Sequence, residues 1–153
     1  MILLIFYHPL KRKFLNKLLY KQKINPFIIL FSILLSILIA DQTGRLIKSL
    51  ELRDRPWVDK NIQEMNCLVC DTEEDKVNYK INGKGKHKSF PSNHSANALS
   101  LALVFSFFFP RLKKISYLLA FTILFSRIYI GVHYPFDVIY GMSIGYLAGS
   151  VTI

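Results

Sequence analysis

Glycine and cysteine are scarce in this chain: 153 residues hold seven of the first and two of the second, with a single tryptophan. The glycines form no Gly-rich phosphate loop, which excludes the common nucleotide-binding motifs. Cys67 and Cys70 make a lone C-x2-C, and a structural zinc site needs two further ligands. Outside a membrane the pair stays open between a disulfide and two free thiols. No segment repeats another, so repeat architectures are excluded. Acid is also scarce, 10 Asp and Glu against 20 Lys and Arg, for a formal charge of +10. The shortage is local. Residues 8–23 carry Lys11, Arg12, Lys13, Lys17, Lys21 and Lys23 with no acid, and the connection after Pro110 carries Arg111, Lys113 and Lys114 with none. Residues 41–92 are nearly neutral, ten Lys and Arg against nine Asp and Glu. Two short basic segments therefore account for almost all the excess, and no nucleic-acid partner is needed to explain it.

What the chain has instead is apolar length. Hydrophobic residues make up 52% and gather in four runs, 24–40, 95–110, 115–132 and 138–153. Each is near the lower end of the roughly 17–25 residues that cross a bilayer as a helix. None carries the charged face of a soluble amphipathic helix. The expected fold is all-α, a multi-pass transmembrane helix bundle of about four spans. The basic segments place the N-terminus and the Arg111 connection in the cytoplasm, and residues 41–92 and 126–137 outside. "MILLIFY" at the start is too short to span, and its charge order is not that of a secretory signal. It reads as an interfacial segment or as the tail of a helix that begins upstream. Gly141, Gly145 and Gly149 recur every four residues and predict close packing inside the bundle. Trp57, Tyr129, Tyr134 and Tyr140 suit an interfacial belt. His8, His87 and the basic stretch "GKGKHK" (83–88) read as solvated.

Three polar clusters stand at the edges of these runs. "KSLELRDRP" places Lys48 and Arg55 seven apart, just after the first run. "PSNH" puts Pro91, Ser92, Asn93 and His94 where the second run begins, and helix N-termini bind anions. "SRIYIGVHYPFD" (126–137) holds Arg127 inside an apolar run, where a charge costs roughly 2.5–3.5 kcal/mol on insertion scales. It also sets His133 and Asp137 four apart, with Pro135 marking a helix start, so that both share one side of its first turn. The carboxylate there can fix the imidazole tautomer. On the expected topology all three clusters meet at the outer face. Arginines, a lysine and helix amides would hold a phosphate, and two histidines would supply a nucleophile and a proton donor.

These three motifs resemble the signatures of the type 2 phosphatidic acid phosphatase superfamily, K-x6-R-P, P-S-G-H and S-R-x5-H-x3-D, with matching spacings over about residues 41–140. The resemblance implies that Lys48, Arg55 and Arg127 bind phosphate oxygens with help from Ser92 and the backbone at Asn93. It implies that His133 attacks phosphorus to form a phosphohistidine, that Asp137 orients His133, and that His94 protonates the leaving oxygen, with no metal or other cofactor. The implied protein is one membrane-embedded lipid phosphatase domain over residues 1–153, with 41–92 as an extracytoplasmic loop carrying two motifs. Its substrate would be a lipid phosphate or diphosphate of the phosphatidic acid, phosphatidylglycerol phosphate, undecaprenyl diphosphate or lipid A type, with membrane lipids around it. Vanadate-dependent haloperoxidases share this type of site, but they are soluble and the apolar runs argue against them. Two departures stand out. Asn93 replaces the motif's glycine, and four spans are read where membrane members typically have six. The missing pair would precede Lys11, which leaves a truncated, inactive membrane subunit as the alternative.

Overall fold

The computed structural model describes residues 25–50, 52–56 and 88–153. Among the described residues there are four helices: α1 (Pro26–Lys48), α2 (Asn93–Phe108), α3 (Lys113–Tyr129) and α4 (Pro135–Val151). A 3-10 turn, Pro110–Leu112, joins α2 to α3, and an isolated antiparallel bridge pairs Asp54 with Lys88. His8, Trp57, Cys67, Cys70 and His87 lie outside the described residues. The chain divides into two compact units, Met1–Phe31 and Ser32–Ile153. In the first, the described part is the opening of α1, where the Asn25 side chain accepts from Phe27 N at 3.0 Å ahead of the first turn. Pro26 suits that first position, since its missing N–H would have no helical partner there.

In the second unit the helix ends follow local chemistry. Ser92 is extended and its hydroxyl accepts from Ser95 N, which starts α2 at Asn93. Pro110 stops α2 at Phe108 by disfavouring helical geometry in the residue before it. α3 ends at Tyr129, and Gly131 takes the left-handed φ of 75° that turns the chain. Pro135 opens α4, and Asp137 at its third position accepts from Tyr134 N at 2.9 Å, half of a capping box.

α1 is longer than its apolar run. The run stops at Ala40, but the helix continues to Lys48, so residues 41–48 are helix rather than loop. Hydropathy marks depth in lipid, whereas backbone hydrogen bonding continues into the polar turns. There the Asp41–Arg45 pair, four apart at 2.7 Å, supports it. Among the described helices α1 alone meets the length and composition of a span by itself, with 23 residues and a mean hydropathy of 2.0 over its most apolar 18. The others have 16 or 17 residues, about 24–26 Å of rise.

The bundle is built with large apolar side chains outward and small ones inward. Of α3, Ala120 and Leu124 are buried, while Ile115, Leu118, Leu119, Phe121 and Phe125 are exposed. In water those five would forgo roughly 7–15 kcal/mol of burial, as much as a whole domain's stability. Facing lipid they forgo nothing. α2 is central and packs against both α3 and α4, which barely meet each other. Five of its nine buried residues are Ser or Ala. Gly141 and Gly145 let α4 approach the carbonyls of Ser92 and Ala96, and Gly149 faces Leu103. Ala40 of α1 completes a small core with Ala96, Ile144 and Ala148. The glycine spacing therefore serves packing within the bundle.

Candidate active site

Two short pieces of chain, 52–56 and 88–89, pair with each other beside the start of α4. Asp54 pairs with Lys88, their side chains 2.8 Å apart, and Ser89 N donates to Arg53 O at 2.9 Å. Residues two apart in extended chain share a face. Arg53 and Arg55 thus turn together toward α4, leaving Asp54 to Lys88.

Asp137 is fully buried at the start of α4. Arg53 Nη1 donates to its Oδ1 at 3.0 Å, and the Ser89 hydroxyl and Tyr134 N donate to Oδ2. His133 Nδ1 lies 3.8 Å from Oδ2, too far for a direct hydrogen bond. The Ser89 oxygen fills the gap, 3.4 Å from that nitrogen. A chain from His133 Nδ1–H to Ser89 to Asp137 would leave Nε2 with its lone pair free. Burial lowers the His133 pKa below its ordinary value. The Asp137 carboxylate opposes this, and the Arg55 and Lys48 charges reinforce it. The neutral imidazole that a nucleophile requires is therefore favoured.

Around this pair stand Lys48 in the last turn of α1, Arg55 in the extended piece and Arg127 in the last turn of α3. Lys48, Arg55, Arg127 and His133 all act electrostatically on His94, so the five share one field. Arg55 Nη1 donates to Val132 O at 3.4 Å. Its Nε and that of Arg127 are buried with no hydrogen-bond partner. Burial lowers the Arg55 pKa, partly offset by Asp137, but an arginine stays charged. The nearest carboxylate, Asp137, is already occupied by Arg53. Three cations with unspent donors around one engaged carboxylate make a site that favours an anion.

His94 differs from His133 in exposure: it is open, while His133 is buried. It sits at the second position of α2, where N–H groups have no helical acceptor. Ser92 N donates to Asp137 O at 3.0 Å and ties the second motif to the third. His133 N donates to Arg127 O at 3.3 Å and ties the turn to α3.

The structure thus brings together Lys48, Arg55, Arg127, His94, His133 and Asp137. Ser92 and Asn93 are there too, but their side chains point elsewhere. Ser92 is fully buried, and its hydroxyl oxygen accepts from Ser95 N and Oγ, serving α2 as a cap. Asn93 Nδ2 donates to Asp41 on α1, at 3.1 Å to Oδ1 and 3.4 Å to O, so its side chain is engaged with α1, while the role expected of its backbone is untouched by this bond. Sequence reading missed Arg53 and Ser89. The alternation of Arg53 and Arg55 was a usable signal, whereas nothing in the sequence marks Ser89. Among the described residues no three of His, Cys, Asp and Glu cluster in a way that could hold a metal.

The family model of the PAP2 superfamily matches residues 26–153, and the chain belongs to that superfamily. It is similar to a lipid A 4'-phosphatase of Bacteroides thetaiotaomicron, 39% identical over 74 residues, 46% of this chain and 33% of that one. It is also similar to a lipid A 1-phosphatase of Rhizobium etli, 34% identical over 65 residues, 42% of this chain and 28% of that one. The chain thus spans about a third of the length of these curated relatives. The crystal structure of Aquifex aeolicus LpxE superposes with a TM-score of 0.60 at 26% identity, covering 95% of this chain and 86% of that one.

Proposed function

We propose that this protein hydrolyses a lipid phosphate ester through a phosphohistidine, in the cell membrane, with the site at the outer face and the N-terminus in the cytoplasm. The observation that carries the reading is the buried His133–Ser89–Asp137 chain set among three cations and a second, open histidine. Lys48, Arg55, Arg127 and the first amides of α2 take the phosphate oxygens. His133 Nε2 attacks phosphorus as the bond to the lipid oxygen breaks, and protonated His94 gives that oxygen its proton. Water, losing a proton to the now neutral His94, then attacks phosphorus. The P–N bond breaks, and inorganic phosphate leaves. No step requires a metal, so activity should persist in chelator. The relatives favour a lipid A type of phosphate over the other candidates, with both the 1 and the 4' position represented.

The test traps phosphoenzyme by rapid acid quench. His133→Ala should form none. His94→Ala should still form it from p-nitrophenyl phosphate, whose leaving group needs little protonation. From a lipid phosphate the same variant should be slowed by about 10²–10⁴-fold. Phosphoenzyme in His133→Ala would reject the nucleophile, and equal losses on both substrates would reject His94 as the acid. Absence of turnover in the unaltered chain would instead favour an inactive membrane subunit.

A further inference from the structure

Asn93 occupies the position where the superfamily motif has glycine, and its Nδ2 is committed to Asp41, while its Oδ1 is buried without a partner. The nearest group is the Asp41 carboxylate, an acceptor that only the NH2 side of the amide can satisfy, which settles the amide's orientation. The amide lies flat against Gly44, where an added Cβ would stand 2.5 Å from Asn93 Oδ1 and 2.9 Å from its Cγ. Any other residue at 44 would push the amide away. Asp41, Gly44 and Lys48 are spaced three and four apart, so they form one stripe along α1. A hydrogen bond and a close backbone approach on that stripe fix the register of α1 against the start of α2. One turn beyond Gly44, the same register sets how far the Lys48 ammonium reaches toward His94. Lys48 has no hydrogen bond or ion pair of its own among those described, although Asp41, Arg55 and Asp137 all act on its charge.

We infer that the Asn93 side chain, with Asp41 and Gly44, positions Lys48 and is not itself a phosphate ligand, whatever its backbone N–H at the start of α2 contributes. The inference rests on the proposal that Lys48 binds phosphate. It differs from a general stabilising role in one respect: breaking the tie should matter only while Lys48 is there to be positioned.

The test is a double-mutant cycle on purified protein in detergent, reading kcat and KM for a lipid phosphate and the inhibition constant of vanadate. Lys48→Ala should weaken both binding measures by about 100-fold. Asn93→Ala should weaken them by about tenfold, mostly in KM. The double variant should be no worse than Lys48→Ala alone. Asp41→Ala approaches the tie from the other side, serves if Asn93→Ala does not fold, and should give the same non-additivity. Losses that multiply in the double variants would overturn the inference while leaving Lys48 as a phosphate ligand. Lys48→Ala with unchanged vanadate inhibition would remove the reading of Lys48, and the inference with it.

Discussion

The two ends of the Ser32–Ile153 bundle are both basic, and they are basic in different ways. At the site end Lys48, Arg55 and Arg127 are half-buried and surround an aspartate whose own bonds are already made. At the other end Arg111, Lys113 and Lys114 are exposed around the turn that opens α3. An open groove of about 400 Å³ lies there, lined in part by Leu103, Phe107, Lys113, Tyr117 and Tyr146, with no acid or histidine in its wall. Exposed cations are well solvated, and neutralising one alters little. Half-buried cations with unspent donors have lost part of their water and regain stability when an anion arrives. On the proposed function, positive charge belongs to the site only where burial accompanies it.

The largest effect expected follows directly. Arg55→Ala and Arg127→Ala should each lower kcat/KM for a lipid phosphate by about 10²–10³-fold, the scale of a lost donor to a developing anionic transition state. Replacing Arg111, Lys113 and Lys114 together by Gln should change it by no more than about twofold. Steady-state kinetics on the four proteins decides, and a comparable loss in the triple variant would break the distinction between the two ends.

A second, smaller effect runs along α4, which links them. Added methyls at Gly141 or Gly145 would meet the carbonyls of Ser92 and Ala96, groups that cannot move aside. At Gly149 the nearest atoms are Leu103 Cδ2 and Ser100 O, both at 3.2 Å. Overpacking costs about 1–3 kcal/mol, and Gly to Ala within a helix returns about 0.8–1 kcal/mol. Gly149→Ala should therefore be close to neutral in thermal midpoint, while Gly141→Ala and Gly145→Ala should lower it. Gly141→Ala should also lower kcat, because Ser92 N bonds to Asp137 O one turn away at 3.0 Å. A Gly149→Ala protein as unstable as Gly141→Ala would mean that the helices meet more evenly than described.

How much of this was legible in the sequence depends on the range of the interaction. The helices were readable because runs of apolar residues and Pro at 110 and 135 act locally. Gathering the motif residues needed only that helices α1, α2, α3 and α4 end or begin at them. The extension of α1 to Lys48 was not readable from hydropathy, which reports lipid depth and is silent about polar helical turns. The bonds of Arg53 and Ser89 to Asp137 depend on residues 53–54 pairing with 88–89, a contact between segments more than thirty residues apart. The turn of Asn93 toward Asp41 depends on the register between α1 and α2, which no spacing within either helix encodes.

The smallest effect concerns pH, and it sharpens the contrast between buried and exposed cations most finely. On the proposed mechanism His133 must be neutral to attack. Burial lowers its pKa, so the acid limb of kcat/KM should lie below the ordinary imidazole value of 6.5. Arg55 contributes to the lowering, after burial and in opposition to Asp137. In Arg55→Gln the residual activity should therefore lose its acid tolerance at a higher pH than in the unaltered protein. Lys113→Gln, at the other end, should leave the limb where it was. A phosphate monoester has its own ionisation near pH 6, but that is common to all three proteins, so the difference between the profiles isolates the histidine. A limb that moves equally in both variants would show that the two basic ends act on His133 alike. A limb that moves downward in Arg55→Gln would show that the titrating group is not His133.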